Sequence, residues 1–182
     1  MPLLNSIASP YADALLQVSD QRQEADLVAE QAKQILELWQ ASPELRDTMT
    51  SPVVEPDAKK GALVALFNDQ VTPSLLNLMQ LMADRQRISL LDAVLVRFLE
   101  LFREQRGISL ASVISATPLS EAQQDKLRAK VKAVAGTESV EFDLSVDPAL
   151  IGGFVVSLGS QVIDASLAGQ VRRLGLALAK AG

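Results

Sequence analysis

The apolar residues of this chain change their spacing once, at Gly107. Before it they recur at steps of three and four; after it they alternate. The first period puts one stripe of a helix in a core, and the second puts one face of a strand there. Two textures in sequence predict an α+β chain of two parts. Residues 1–106 are expected to form an N-terminal bundle of five or six helices, and residues 107–182 a small mixed α/β domain. Charge divides at the same place. Residues 1–106 hold 10 Lys+Arg and 15 Asp+Glu, so 10 − 15 = −5, while residues 107–182 hold 7 and 7, net zero.

The first helix is expected over Leu4 to Val18, where Ile7, Tyr11, Ala14, Leu15 and Val18 share a face and Ser9-Pro10 permits a start or a kink. A second runs from about Gln23 to Gln40. Ser42-Pro43 and Thr72-Pro73 each place proline at a first helical position, opening short helices to Met49 and Ala83, and Pro56 opens another to Phe67. Ser89 and Asp92 stand in a capping-box relation ahead of Val94, Leu95, Phe98 and Phe102. Arg103, Arg106 and Gly107 give that helix a basic last turn and a glycine stop.

Beyond Gly107 the predicted order is β-α-β-β-β-α. Ile108 to Thr117 is β-branched and stops at Pro118, Ser120 and Gln123 form a capping box for a helix to Gly136, and Val140 to Val146 alternates. Phe154 to Leu158 and Val162-Ile163 read as a strand and its hairpin return. A last helix carries Leu167, Val171, Leu174 and Leu178. A small sheet with helices on one face accommodates this order.

Several chemistries are excluded by residue type. The chain has no Cys and no His. Disulfides, thiol nucleophiles and thiolate metal sites go with the first; the usual general base near neutral pH and the commonest metal ligand go with the second. The net charge of −5 lacks the basic footprint of a nucleic-acid binder. No GxxxxGK[ST] or GxGxxG motif is present. No targeting segment is expected, since the first basic residue is Arg22, and the longest apolar stretch, Ala149 to Val156, is far short of a membrane span.

Three features bear on function. Gly152-Gly153 lies between two predicted strands and reads as a tight turn in which Gly153 takes a positive φ. Asp143, Asp147 and Asp164 surround the turns of the second part; they could hold a hard cation such as Mg²⁺, or cap turns and helices. The segment Leu75 to Ala83 is apolar around most of its circumference, more than a surface helix needs. Either it is surrounded by core, or one face is open to a partner, with Met79 and Met82 suited to an adaptable groove. Tyr11 beside the small Ala14 offers a companion surface, and a groove between two such helices takes an amphipathic partner helix.

At these residues the chain resembles the delta subunit of the rotary F-type ATP synthase, the family of the mitochondrial oligomycin sensitivity-conferring protein. The resemblance covers nearly the whole length. Its strongest part is Asp147-Pro148-Ala149-Leu150-Ile151-Gly152-Gly153-Phe154, continuing through Val162-Ile163-Asp164-Ala165-Ser166 to Gly169, Arg173 and Leu174. Pro10-Tyr11-Ala12-Asp13-Ala14 is similar to the family's opening helix, and Asn77-Leu78 through Asp84 and Arg87 to its fifth helix and the turn after it. Ser157 stands where many members have a basic residue.

The resemblance implies a non-catalytic stator subunit with no cofactor, no metal, no small-molecule substrate and no nucleic-acid partner. Its N-terminal bundle would bind N-terminal helices of the alpha subunits through Ile7, Tyr11, Ala14, Leu78, Leu81 and Met82. Its C-terminal domain would join the b-type peripheral-stalk subunits. Asp147, Gly152, Gly153, Asp164, Ser166, Gly169 and Arg173 would shape that domain. The protein would sit on the cytoplasmic or stromal face of a thylakoid or plasma membrane, held there only through partners, and resist rotor torque so that proton-driven rotation makes ATP. The competing classes are a helical adaptor using the same groove for another peptide, and a Mg²⁺ enzyme built on Asp143, Asp147 and Asp164.

Overall fold

The computed structural model describes residues 2–137 and 139–173. The chain is α+β and divides into two compact units, Met1–Phe102 and Arg103–Gly182. Leu174 and Leu178 of the expected last helix lie outside the described residues.

The helices are α1 (Pro2–Gln21), α2 (Ala25–Ala41), α3 (Pro43–Thr50), α4 (Pro56–Phe67), α5 (Pro73–Asp84) and α6 (Leu91–Arg106), with a 3-10 turn at Ile88–Leu90. Proline opens α3, α4 and α5 at a position whose N–H has no intrahelical partner. Pro10 does not interrupt α1. It removes the N–H that would reach Ser6, but both residues are exposed, so the loss falls on the solvent side.

Ser89 is not the cap of α6. It lies inside the 3-10 turn, and the helix begins at Leu91. Ile88 and Leu91 are both buried and anchor the turn, while Asp92 Oδ1 accepts the Ala93 N–H at 2.8 Å. The other end follows expectation, with Arg103 and Arg106 in the last turn and Gly107 at φ 64°.

The helices meet around Val28, Ala32 and Ile35 of α2, Leu63 and Phe67 of α4, Leu75, Met79 and Met82 of α5, and Val94, Leu95 and Phe98 of α6. Few polar groups enter this core, and among the described residues the Thr72 hydroxyl is a buried one left without a partner. Gln31 accepts the Thr72 N–H at 2.9 Å and donates to the Gln70 carbonyl at 3.4 Å, tying α2 to the link before α5. Lys60 bridges α4 and α5, with Nζ 2.9 Å from Asp57 and 2.8 Å from Asp84. That double pairing raises the Lys60 ammonium above its ordinary range.

The second unit holds β1 (Ile108–Ser115), α7 (Glu121–Ala135), β2 (Ser139–Val146), a 3-10 turn at Pro148–Leu150, β3 (Phe154–Leu158) and β4 (Gln161–Asp164); the backbone is helical again at 167–173. The strand order is β2-β1-β3-β4. β1 runs parallel to β2, with Ala111 opposite Phe142, and antiparallel to β3, with Val113 opposite Val156. A parallel pair needs a long crossover, which α7 supplies. Gln123 Oε1 accepts the Ser120 N–H at 2.9 Å at the start of α7, and Gly136 closes it in the left-handed region. The core is thin: Ala111, Val113, Val140 and Val156 from the sheet against Leu127 and Val131 from α7.

Candidate functional site

Helix α1 carries two stripes. Ala8, Ala12, Leu15 and Ser19 are buried. Ile7, Tyr11, Ala14, Val18 and Arg22 form a second stripe, one residue away and so turned by about 100°. Among the described residues of the first unit nothing covers it fully: Ile7 is 43% and Val18 39% exposed. Helix α5 lies alongside. Its Leu75, Leu76, Met79, Met82 and Ala83 are buried, and Leu81 is 44% exposed. The apolar surplus of this helix is therefore mostly core, and Leu81 with the edge of Leu78 is what remains for a groove.

Between the two helices lies an apolar cavity of about 260 Å³, lined by Ala14, Leu15, Val18, Arg22, Ser74, Asn77, Leu78 and Leu81. A second, of about 410 Å³, is lined by Tyr11, Leu81, Arg85 and Arg87. Leu81 is common to both, so they follow one another along a single groove. The small Ala14 leaves the α1 backbone low and gives the groove its depth. Arg87 Nη1 donates to the Tyr11 hydroxyl at 3.0 Å. The Arg87 backbone is fixed by its N–H on the Met82 carbonyl at 2.7 Å, following Gln86 at φ 53°.

Tyr11, Ala14, Leu78 and Leu81 thus come together. Ile7 continues their stripe one turn earlier and lines neither cavity. Met82 is a correction: at 0% exposure it faces the core, behind the groove wall. A helix apolar around most of its circumference gives only a weak period from which to read its orientation. Val18, Asn77, Arg22 and Arg85 are the additions. Val18 was visible as the next step of the Ile7, Tyr11, Ala14 stripe; the arginines carry no sequence signal of their own.

The second unit gathers a different set. Asp147 Oδ1 accepts the Ala149 N–H at 2.9 Å and caps the 3-10 turn. Gly153 has φ 82°, and a Cβ there would overlap the Ala165 carbonyl oxygen; at Gly152 it would meet Leu167 Cδ1 at 2.6 Å. Asp164 Oδ1 accepts the Ser166 N–H at 2.9 Å and its hydroxyl at 2.6 Å. The buried Ser166 hydroxyl oxygen accepts the Gly169 N–H at 3.0 Å. A side chain at Gly169 would strike the Asp164 carboxylate. Arg173 Nη1 donates to the Asp164 carbonyl at 2.9 Å. The two Ser166 hydrogen bonds, and then the Arg173 and Arg172 charges, hold the Asp164 carboxyl below its usual range.

These contacts are those of the capping reading of the carboxylates rather than the cation one. Asp147 and Asp164 are engaged in capping, and Asp143 stands exposed on β2 opposite Ser112. Among the described residues no group of three or more acidic side chains could hold a metal ion. Ser157 sits mid-strand, opposite Ser112 on β1 and Val162 on β4.

Fold and site together define a class: a two-unit α+β protein, helices first and a four-stranded mixed sheet second, with an apolar interhelical groove on the first unit and a glycine-framed turn on the second. A family model described as the ATP synthase delta (OSCP) subunit matches residues 7–178. The chain belongs to that family. It is 68% identical to the ATP synthase subunit delta of Synechococcus sp. (strain CC9902), covering 100% of both chains. It is 63% identical to the ATP synthase subunit delta of the organellar chromatophore of Paulinella chromatophora, again covering 100% of both. The fold matches a chain of the Toxoplasma gondii mitochondrial ATP synthase hexamer with TM-score 0.72 at 21% identity, covering 94% of this chain and 96% of that one. A chain of the Polytomella F-ATP synthase matches with TM-score 0.51 at 25% identity, covering 54% of this chain and 88% of that one.

Proposed function

We propose that this chain ties the catalytic head of an F-type ATP synthase to its peripheral stalk. As a delta (OSCP) subunit it is a stator component of the complex. In this reading the first unit is a six-helix bundle whose α1–α5 groove receives N-terminal helices of the alpha subunits, and the second unit joins the b-type stalk subunits. The chain performs no chemistry. It resists rotor torque by holding partners at two separate units. It is peripheral, on the cytoplasmic or stromal face of a thylakoid or plasma membrane; no described helix is long and apolar enough to cross one.

One observation carries the groove assignment: Ile7, Val18 and Leu81 remain substantially exposed around a concave apolar strip after α1 and α5 have packed. Covering such surface contributes about 25 cal/mol per Å². An interface of about 1,600 Å² is the usual size for stable association, though area alone does not fix affinity.

Leu81→Asp tests this. Leu81 is exposed in the free chain, so a carboxylate there stays hydrated and the fold survives. In the complex the charge would be buried without a partner, weakening binding of an alpha-subunit N-terminal peptide by about 2–4 kcal/mol. Calorimetry on the folded variant gives the answer, and unchanged affinity removes the groove from the assignment.

A further inference from the structure

The groove is apolar along its floor but basic at its ends. Arg22 lines one cavity, and Arg85 and Arg87 line the other. Among the described residues no carboxylate lines either cavity, although residues 1–106 carry 15 Asp+Glu against 10 Lys+Arg. The acidic groups nearest in the helical wheel are accounted for. Asp84 is held by Lys60 at 2.8 Å. Glu24 accepts the Ser74 hydroxyl. Asp13 and Asp20 lie on the side of α1 turned away from the groove stripe by well over 90°.

The three arginines are not equivalent. Arg87 is engaged with the Tyr11 hydroxyl at 3.0 Å and positions the ring that forms the groove wall. Arg22 and Arg85 are exposed, and among the described residues no hydrogen bond or ion pair occupies their guanidinium groups, although their backbone N–H groups reach the Val18 and Leu81 carbonyls. A free guanidinium beside an apolar strip is a donor fork awaiting an oxygen acid.

We infer that Arg22 and Arg85 set the register of the docked helix by pairing with carboxylates at the two ends of its apolar stripe. This rests on the groove reading above and adds the chemistry of the occupant. The span follows from α1 itself. Arg22 and Tyr11, which marks the Arg85 end, are 22 − 11 = 11 residues apart, or about 16 Å along a helix. The occupant is therefore an amphipathic helix with acidic residues separated by about three turns and apolar residues between them. A helix slid by one turn keeps its apolar contact but loses both ion pairs, so the charges select register where the greasy strip alone would tolerate slippage.

Calorimetry tests this on the full chain with a synthetic alpha-subunit N-terminal peptide at ~50 mM and ~300 mM salt, conditions that differ in charge screening. Arg22→Gln and Arg85→Gln should each weaken binding about 3- to 5-fold at the lower salt, the size of a rim ion pair. The double variant should lose about the product of the two, and the higher salt should erase most of either loss. Replacing the peptide's acidic residues by Gln at one end should cancel the effect of one arginine substitution and leave the other intact. Circular dichroism should be unchanged throughout, since neither arginine supports the fold. If the peptide binds, Leu81→Asp weakens binding as expected above, and both arginine variants bind like wild type, the register inference falls and the groove stands. If the wild-type chain does not bind the peptide, both fall.

Discussion

The two units bury their side chains by different means. In Met1–Phe102 the helices build a thick core, although, like the second unit, they also leave large apolar side chains outside it. Phe98, Leu95, Met79 and Leu63 fill the interior while Ile7, Val18 and Leu81 are left outside. In Arg103–Gly182 the core is only Ala111, Val113, Val140, Val156, Leu127 and Val131, with a few partly buried neighbours. Its shape depends on close backbone approach at Gly153 and on the Asp164, Ser166 and Gly169 contacts. The lesson is that damage should enter the two units through different doors. A surface change in the first unit should spare folding and alter docking. A one-residue change at a turn in the second should cost folding directly.

Gly153→Val is the strongest way to break that contrast. It forces a β-branched residue to φ 82° and drives its Cβ into the Ala165 carbonyl. Strain of about 1–3 kcal/mol for the backbone plus repacking predicts a loss of about 3 kcal/mol or more. Hydrogen exchange should show amides of β1, β3 and β4 deprotected while α2 and α6 are unchanged; equal loss in both units would mean that they do not unfold separately. Ser166→Ala removes the buried acceptor for the Gly169 N–H and the donor to Asp164, and should cost about 1 kcal/mol in the same measurement. Leu81→Asp should move the unfolding of the first unit by no more than about 0.5 kcal/mol, because the position is already wet. A large destabilisation there would mean that Leu81 belongs to the core.

The smallest effect concerns acid. Folding lowers the Asp164 pKa through the Ser166 hydrogen bonds. A group whose pKa is depressed in the folded state stabilises above its unfolded value, and that contribution is lost as pH falls through the folded one. Protection of the Ser166 and Gly169 amides should therefore decline below about pH 4, and Asp164→Asn should flatten that dependence.

Much of this was legible beforehand, and the failures have physical causes. Proline at a first helical position marked α3, α4 and α5, and the alternation of Val140 to Val146 marked β2. Ser120 and Gln123 marked the start of α7 because a cap is a contact between near neighbours. Ser89 misled because Ile88, a core anchor, pulled the turn inward. The strand order could not be read: β1 lies between β2 and β3 through pairings of residues far apart in sequence. The groove was half visible. Its α1 wall follows a clean stripe, whereas α5 is apolar around most of its circumference, and only the polar line Asn77, Gln80 and Asp84 beside Leu81 hints that Met82 points inward and Leu81 outward. Arg22 and Arg85 became notable only when the fold brought them to the same strip.

The central place of β1 has a further consequence, for the order of events during synthesis. Ala111 must wait for Phe142, 142 − 111 = 31 residues later, and for Leu158, 158 − 111 = 47 residues later. The helical unit needs nothing beyond Phe102, while the sheet is incomplete until Asp164, a further 164 − 102 = 62 residues. At the usual pace of translation, about 5–20 residues per second, that interval is about 3–12 s. For those seconds a nascent chain would display a finished apolar groove before its other half has been made; on the proposed reading of that groove, assembly would begin from the ribosome outward, head end first.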